Sequence, residues 1–229
     1  MDITYLWIPI VFAVLDWIAV ARGSKPLELF AKPAVMASLL VWMFTAVPDG
    51  AVFGPWWWFI LGIFFSMLGD IFLMLPKEQF IAGLVAFLVA HVMYVIGLNQ
   101  QPPPLNVASA IIVLVVSISA GRLFRRLSTG LREKGHTALL RPVLVYSVVI
   151  TLMLVSALFT LVHDVALWTA LPAIFVSVGA FLFYVSDAFL AWNRFVVPLS
   201  YGKLRVIVTY HLGQILLVLG AGIFFFGLQ

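Results

Sequence analysis

The chain has 229 residues, of which 64% are hydrophobic and only 10% charged, whereas a soluble domain of this size carries about a quarter of its residues as charges. That balance excludes a water-soluble globular protein, and the lack of any cysteine excludes disulfides, thiol nucleophiles and thiolate metal sites. The net charge of +4 reads as loop topology and not as a nucleic-acid surface, because multi-pass proteins gather basic residues in their cytoplasmic loops.

One membrane span takes about 20 apolar residues, and the apolar runs here are continuous and not alternating, as barrel strands would be. The expected fold is therefore all-α, a polytopic transmembrane bundle forming one membrane domain. Runs bounded by charges, Pro or Gly place eight spans near 4–21, 33–48, 55–75, 79–99, 105–121, 142–162, 166–191 and 204–228. The first run starts close to Met1 with no basic stretch before it, which reads as a retained span and not as a removed signal peptide.

All 13 basic residues fall in alternate connections. Arg22, Lys25 and Lys32 lie in the first, Lys77 in the third, Arg122, Arg125, Arg126, Arg132, Lys134 and Arg141 in the fifth, and Arg194, Lys203 and Arg205 in the seventh. The even connections hold none, so both termini are expected on the non-cytoplasmic side, in a bacterial cytoplasmic (inner) membrane. Trp7, Trp56, Trp57, Trp58 and Trp168 mark the outer boundary as expected interface anchors. A faint duplication relates Gly69-Asp70-Ile71-Phe72-Leu73 to Ser186-Asp187-Ala188-Phe189-Leu190, but the match is short enough for chance among apolar helices.

A carboxylate in hydrocarbon costs a few kcal/mol or more and normally faces the bundle interior, which makes Asp16, Asp70, His91, Asp187 and His211 the residues to explain. At 1.5 Å rise per residue, Asp16, Asp70, Asp187 and His211 each lie about 9 to 11 Å inside the cytoplasmic boundary, with His91 deeper, toward the midplane. Ser66 with Asp70, Tyr184 with Asp187, His91 with Tyr94 and Tyr210 with Gln214 are spaced three or four apart, so each pair shares a helix face. Such polar stripes either line a cavity or hydrogen-bond helix to helix. Asp16 is expected to pair with a snorkelling Arg22, and adjacent Tyr210 and His211 point about 100° apart, so they serve different directions.

Three chemistries remain open on these residues alone. Two carboxyl groups sharing a site and one proton form an acid–base pair. Two Asp and two His also suit zinc, although no HExxH motif occurs and the ligands would come from four helices. A proton-coupled transporter is the third, although no span pair is broken by Gly or Pro at its centre. No nucleophile elbow, phosphate loop or dinucleotide fingerprint is present, so no cofactor is expected.

At these positions the sequence resembles the YhhN-like lysoplasmalogenase family of eight-span membrane proteins. The resemblance runs through Lys32-Pro33, Gly69-Asp70-Ile71-Phe72-Leu73-Met74-Leu75-Pro76, Phe87-Leu88-Val89-Ala90-His91-Val92-Met93-Tyr94, Ser186-Asp187 with Arg194-Phe195, and Tyr210 with Gln214. It does not extend to the first span, the Arg-rich fifth loop or His211. It implies a lysophospholipid substrate in the bilayer, whose vinyl ether bond is hydrolysed to a fatty aldehyde and glycerophosphoethanolamine or glycerophosphocholine. Asp70 and Asp187 would then be catalytic. His91, Tyr94, Tyr210 and Gln214 would orient substrate or water, and Lys32, Lys77 and Arg194 would bind the headgroup, with no metal.

Overall fold

A computed structural model describes residues 3–47, 53–75, 79–164 and 167–227, and Lys77 lies outside them. The long apolar runs become helices because a backbone in hydrocarbon must satisfy its own N–H and C=O groups. In chain order the helices are α1 (Trp7–Arg22), α2 (Lys25–Ala46), α3 (Trp57–Met74), α4 (Phe80–Leu98), α5 (Val107–Glu133), α6 (Leu140–Phe159), α7 (Ala170–Phe195) and α8 (Gly202–Phe226), with no strand among the described residues. From α2 onward each is long and apolar enough to cross a membrane, α6 together with the 3-10 turn before it. Helix α1 has 16 residues and follows a four-residue 3-10 turn, Ile3–Leu6. The protein is a multi-pass, all-helical membrane protein.

Two helices outrun the apolar segments that announce them. Helix α2 starts at Lys25, with Pro26 in its first turn and Pro33 inside it. A proline near the N-terminus costs little because the first N–H groups have no helical partner, and an internal proline is tolerated in membrane helices. Lys32 is therefore two turns into α2 and not at its start. Helix α5 runs 27 residues, about 40 Å, so Arg122, Arg125, Arg126 and Arg132 belong to the helix and not to a loop. In this last part Leu127, Gly130 and Leu131 are buried while the arginines are exposed. An amphipathic extension reads in sequence as a charged loop because its charges lie on one face only.

Packing is tightest between α7 and α8 and between α3 and α4. At the α7–α8 crossing, a Cβ on Gly213 would sit 2.8 Å from the Phe183 backbone nitrogen and 2.9 Å from the Gly179 carbonyl oxygen. Small residues let membrane helices approach to backbone contact, and here that approach carries Asp187 and Tyr210 inward on adjoining helices. Helix α5 is the peripheral one, packing on α6 and α7 and leaving Ile111, Leu114 and Val115 exposed on its outer face. Of the expected interface tryptophans, Trp7 is exposed, but Trp56 and Trp168 are buried. Trp168 stacks on Phe224 with ring centroids 3.8 Å apart, since an indole at a helix end gains as much from a ring partner as from the interface.

Candidate active site

Asp70 is positioned by α3 and Asp187 by α7, and both carboxyl groups line one cavity of about 480 Å³. Its inner wall is Leu73, Phe87, Ser186, Leu190 and Tyr210. Among the described residues its rim carries Lys25, Lys32, Arg194 and Lys203 with a single acid, Glu28, and Lys25 pairs with Glu28 at 3.3 Å. The cavity is thus carboxylate-floored and cation-rimmed.

Each carboxylate has its own set of partners. Tyr210 Oη donates to Asp70 Oδ2 at 2.7 Å, tying α8 to α3, and Lys32 Nζ lies 3.9 Å from Asp70 Oδ1. Asp187 Oδ2 accepts a hydrogen bond from Tyr146 Oη on α6. His91 Nε2 on α4 lies 3.3 Å from the same oxygen and 3.0 Å from the Tyr146 hydroxyl. His91, expected deeper than Asp187 along the helix axis, thus meets it side chain to side chain. The side chains span the offset that a count along the helix axis leaves between the two backbones.

Tyr94 and Gln214 stand elsewhere. Tyr94 Oη donates to Gln214 Oε1 at 2.8 Å, and Gln214 Nε2 donates to Ser66 Oγ at 2.9 Å. All three residues are fully buried, and none lines the cavity. They join α4, α8 and α3 as an interhelical network, so the structure separates them from the carboxylates. Asp16 is also misread by sequence. Arg22 is exposed, while Asp16 is buried with Oδ2 4.0 Å from His211 Nε2. Tyr210 and His211 do diverge, one toward Asp70 and the other toward Asp16.

Tyr146 escaped the sequence reading, as did the place of Lys25 and Lys203 at the rim. The Tyr146-Ser147 pair does interrupt an apolar run in the sixth span. A lone tyrosine in such a run is a common packing residue, however, and only the fold brings its hydroxyl to Asp187. A second, narrow pocket of about 60 Å³ adjoins the first under α5. Tyr146, Ser147, Tyr184 and Asp187 supply polar groups to an otherwise apolar lining.

The YhhN family model matches residues 27–221, which includes α3, α4, α6 and α7 entire and every residue of the two carboxylate clusters. The chain belongs to the YhhN family. It is 30% identical over 210 residues to the lysoplasmalogenase TMEM86B of Mus musculus, covering 90% of this chain and 80% of that one. The lysoplasmalogenase TMEM86A of Bos taurus is 30% identical over 164 residues, 70% of this chain and 63% of its own. The lysoplasmalogenase of Mycobacterium tuberculosis is 29% identical over 201 residues, 86% of this chain and 71% of its own. No solved structure matches the chain.

Proposed function

We propose that the protein is a lysoplasmalogenase, hydrolysing the vinyl ether bond of a single-chain alkenyl phospholipid to a fatty aldehyde and glycerophosphoethanolamine or glycerophosphocholine. The observation that carries this reading is the pair of carboxyl groups, from α3 and α7, on one cation-rimmed cavity. Its relatives named lysoplasmalogenase support it.

The chemistry needs a proton donor, a proton acceptor and a negative field, as glycoside cleavage does. One carboxyl group gives its proton to the β-carbon, and the alkene electrons form the new C–H bond. An oxocarbenium ion remains, stabilised by the carboxylates. Water adds to the α-carbon and passes a proton to the second carboxylate. The neutral hemiacetal then breaks its C–O bond: the departing glycerol oxygen takes the proton from the second carboxyl group, and the hemiacetal O–H returns one to the first. Both groups end as they began.

In this reading Tyr210 orients Asp70, and His91 with Tyr146 orients Asp187. Lys32 and Arg194, with Lys25 and Lys203, hold the phosphate at the rim. Tyr94 and Gln214 fix the helices. The headgroup side faces the cytoplasm of a bacterial inner membrane, with both termini opposite, because every basic residue lies toward that side.

Purified protein in detergent, incubated with an alkenyl lysophospholipid, is expected to release free aldehyde at a rate that a chelator leaves unchanged. No aldehyde at any pH would remove the proposal. Loss with chelator and recovery with zinc would replace the carboxylate pair by a metal site. Turnover in detergent separates an enzyme from a transporter, which needs a sealed compartment.

A further inference from the structure

We infer that the narrow apolar slot beneath α5 is the site of the substrate's hydrocarbon chain, and that it fixes which carboxylate donates the proton. The inference rests on the proposed function for the identity of the lipid. Its structural basis is the way the two pockets meet. Asp187 lines both, together with Leu73, Phe87 and Leu190, so the carboxylate stands in the partition between a cation-rimmed cavity and an apolar slot. A lysoplasmalogen has its vinyl ether at the corresponding boundary, where the polar glycerol ends and the chain begins.

The slot suits a single chain. It lies between α5, which contributes Ala120, Phe124 and Leu127, and α6, which contributes Val143 and Ile150. The seven-residue interval on α6 corresponds to a wall about 10 Å long. The slot is far narrower than the polar cavity, about 60 against about 480 Å³, so two chains side by side have no room in it. A second apolar groove, lined by Phe12, Phe30, Ala34 and Ser38 of α1 and α2, reaches neither carboxylate.

Orientation follows from these two ends. With the phosphate at the rim and the chain in the slot, the vinyl β-carbon, which belongs to the chain, lies on the Asp187 side. The α-carbon and its ether oxygen lie on the Asp70 side. Asp187 therefore donates the first proton. Tyr146 and His91 both engage its Oδ2, which leaves Oδ1 to carry that proton. Asp70 takes the proton released by the attacking water and returns it to the departing oxygen.

The test is photolabelling of the full-length protein with a saturated-ether lysophospholipid, which cannot be hydrolysed, carrying a diazirine at the chain end. Displaceable label is expected on α5 and α6, among Ala120, Phe124, Val143 and Ile150. Label on the α1–α2 groove, or label that excess unmodified lipid does not displace, would overturn the inference. In parallel, Ala120→Phe is expected to lower the ratio of long-chain to short-chain kcat/KM about ten-fold, as when roughly two methylenes lose their burial. An unchanged ratio in a folded variant counts against the slot. The outcomes are separable. Aldehyde release with label elsewhere removes the slot and keeps the function, whereas displaceable slot label without aldehyde release removes the function and keeps a single-chain lipid site.

Discussion

His91 and Asp187 are 96 positions apart in the chain, and their side chains meet at 3.3 Å. Asp70 and Tyr210, 140 positions apart, meet at 2.7 Å. The tightly packed pairs α3–α4 and α7–α8 thus exchange contacts crosswise: α3 reaches α8 and α4 reaches α7. Each carboxylate is held by a helix of the other pair, so the cavity exists only when both pairs are docked.

Asp70→Asn and Asp187→Asn are each expected to lower aldehyde release by about 10²-fold or more, with the double variant scarcely worse than either single one, because groups acting as a unit are strongly non-additive. Asn keeps the side-chain shape and leaves no ionisable group to bury in the membrane. Yield and thermal stability should therefore hold while activity falls. Full activity in both single variants would end the carboxylate mechanism.

The two carboxylates should differ under chemical rescue. Formate is expected to restore part of the rate to Asp70→Ala, where a small anion can replace the missing proton acceptor. Asp187→Ala should not respond, since at neutral pH formate supplies no proton. Rescue of Asp187→Ala alone would reverse the assigned roles.

Tyr146→Phe keeps the ring in the wall of the slot and removes the hydroxyl that donates to Asp187. A drop in kcat of about ten-fold with KM nearly unchanged is expected from losing one orienting hydrogen bond. A rise in KM with constant kcat would instead make Tyr146 a binding residue only.

Arg194→Gln and Lys203→Gln remove rim cations that line the cavity without touching either carboxylate cluster. Each should raise KM about three- to ten-fold for a phosphate-bearing substrate, more at low salt than at high. Neither should affect an alkenyl glycerol that lacks the phosphate. Equal effects on both substrates would show that these residues support the fold and not the headgroup.

A reporter fused after Gln229 is expected to be active only when it is of a kind that works outside the cytoplasm, because all 13 basic residues fall in alternate connections of the sequence, which are expected on the cytoplasmic side. Activity of a cytoplasm-only reporter at that position would invert the orientation and place the cationic rim on the outer face.

Composition and periodicity alone determine that this chain is helical and lies in a membrane, because no other backbone arrangement built from such continuous apolar runs can satisfy its hydrogen bonds in lipid. They also single out Asp70 and Asp187, with Asp16, His91 and His211, as the residues to explain, since an ionisable group within hydrocarbon stands out against its surroundings. Pairing was not legible in the same way. Asp16 could be matched by sequence only to nearby Arg22, yet its neighbour is His211 at 4.0 Å, and Tyr146 gave no signal until α6 was docked against α7. Tyr94 and Gln214 shared the spacing of the site residues but turned out to bond each other at 2.8 Å. Spacing along one helix tells which side chains share a face and is blind to what that face meets. Only the packing of four helices, two of them drawn to backbone contact at Gly179 and Gly213, decided which polar faces meet a cavity and which meet one another.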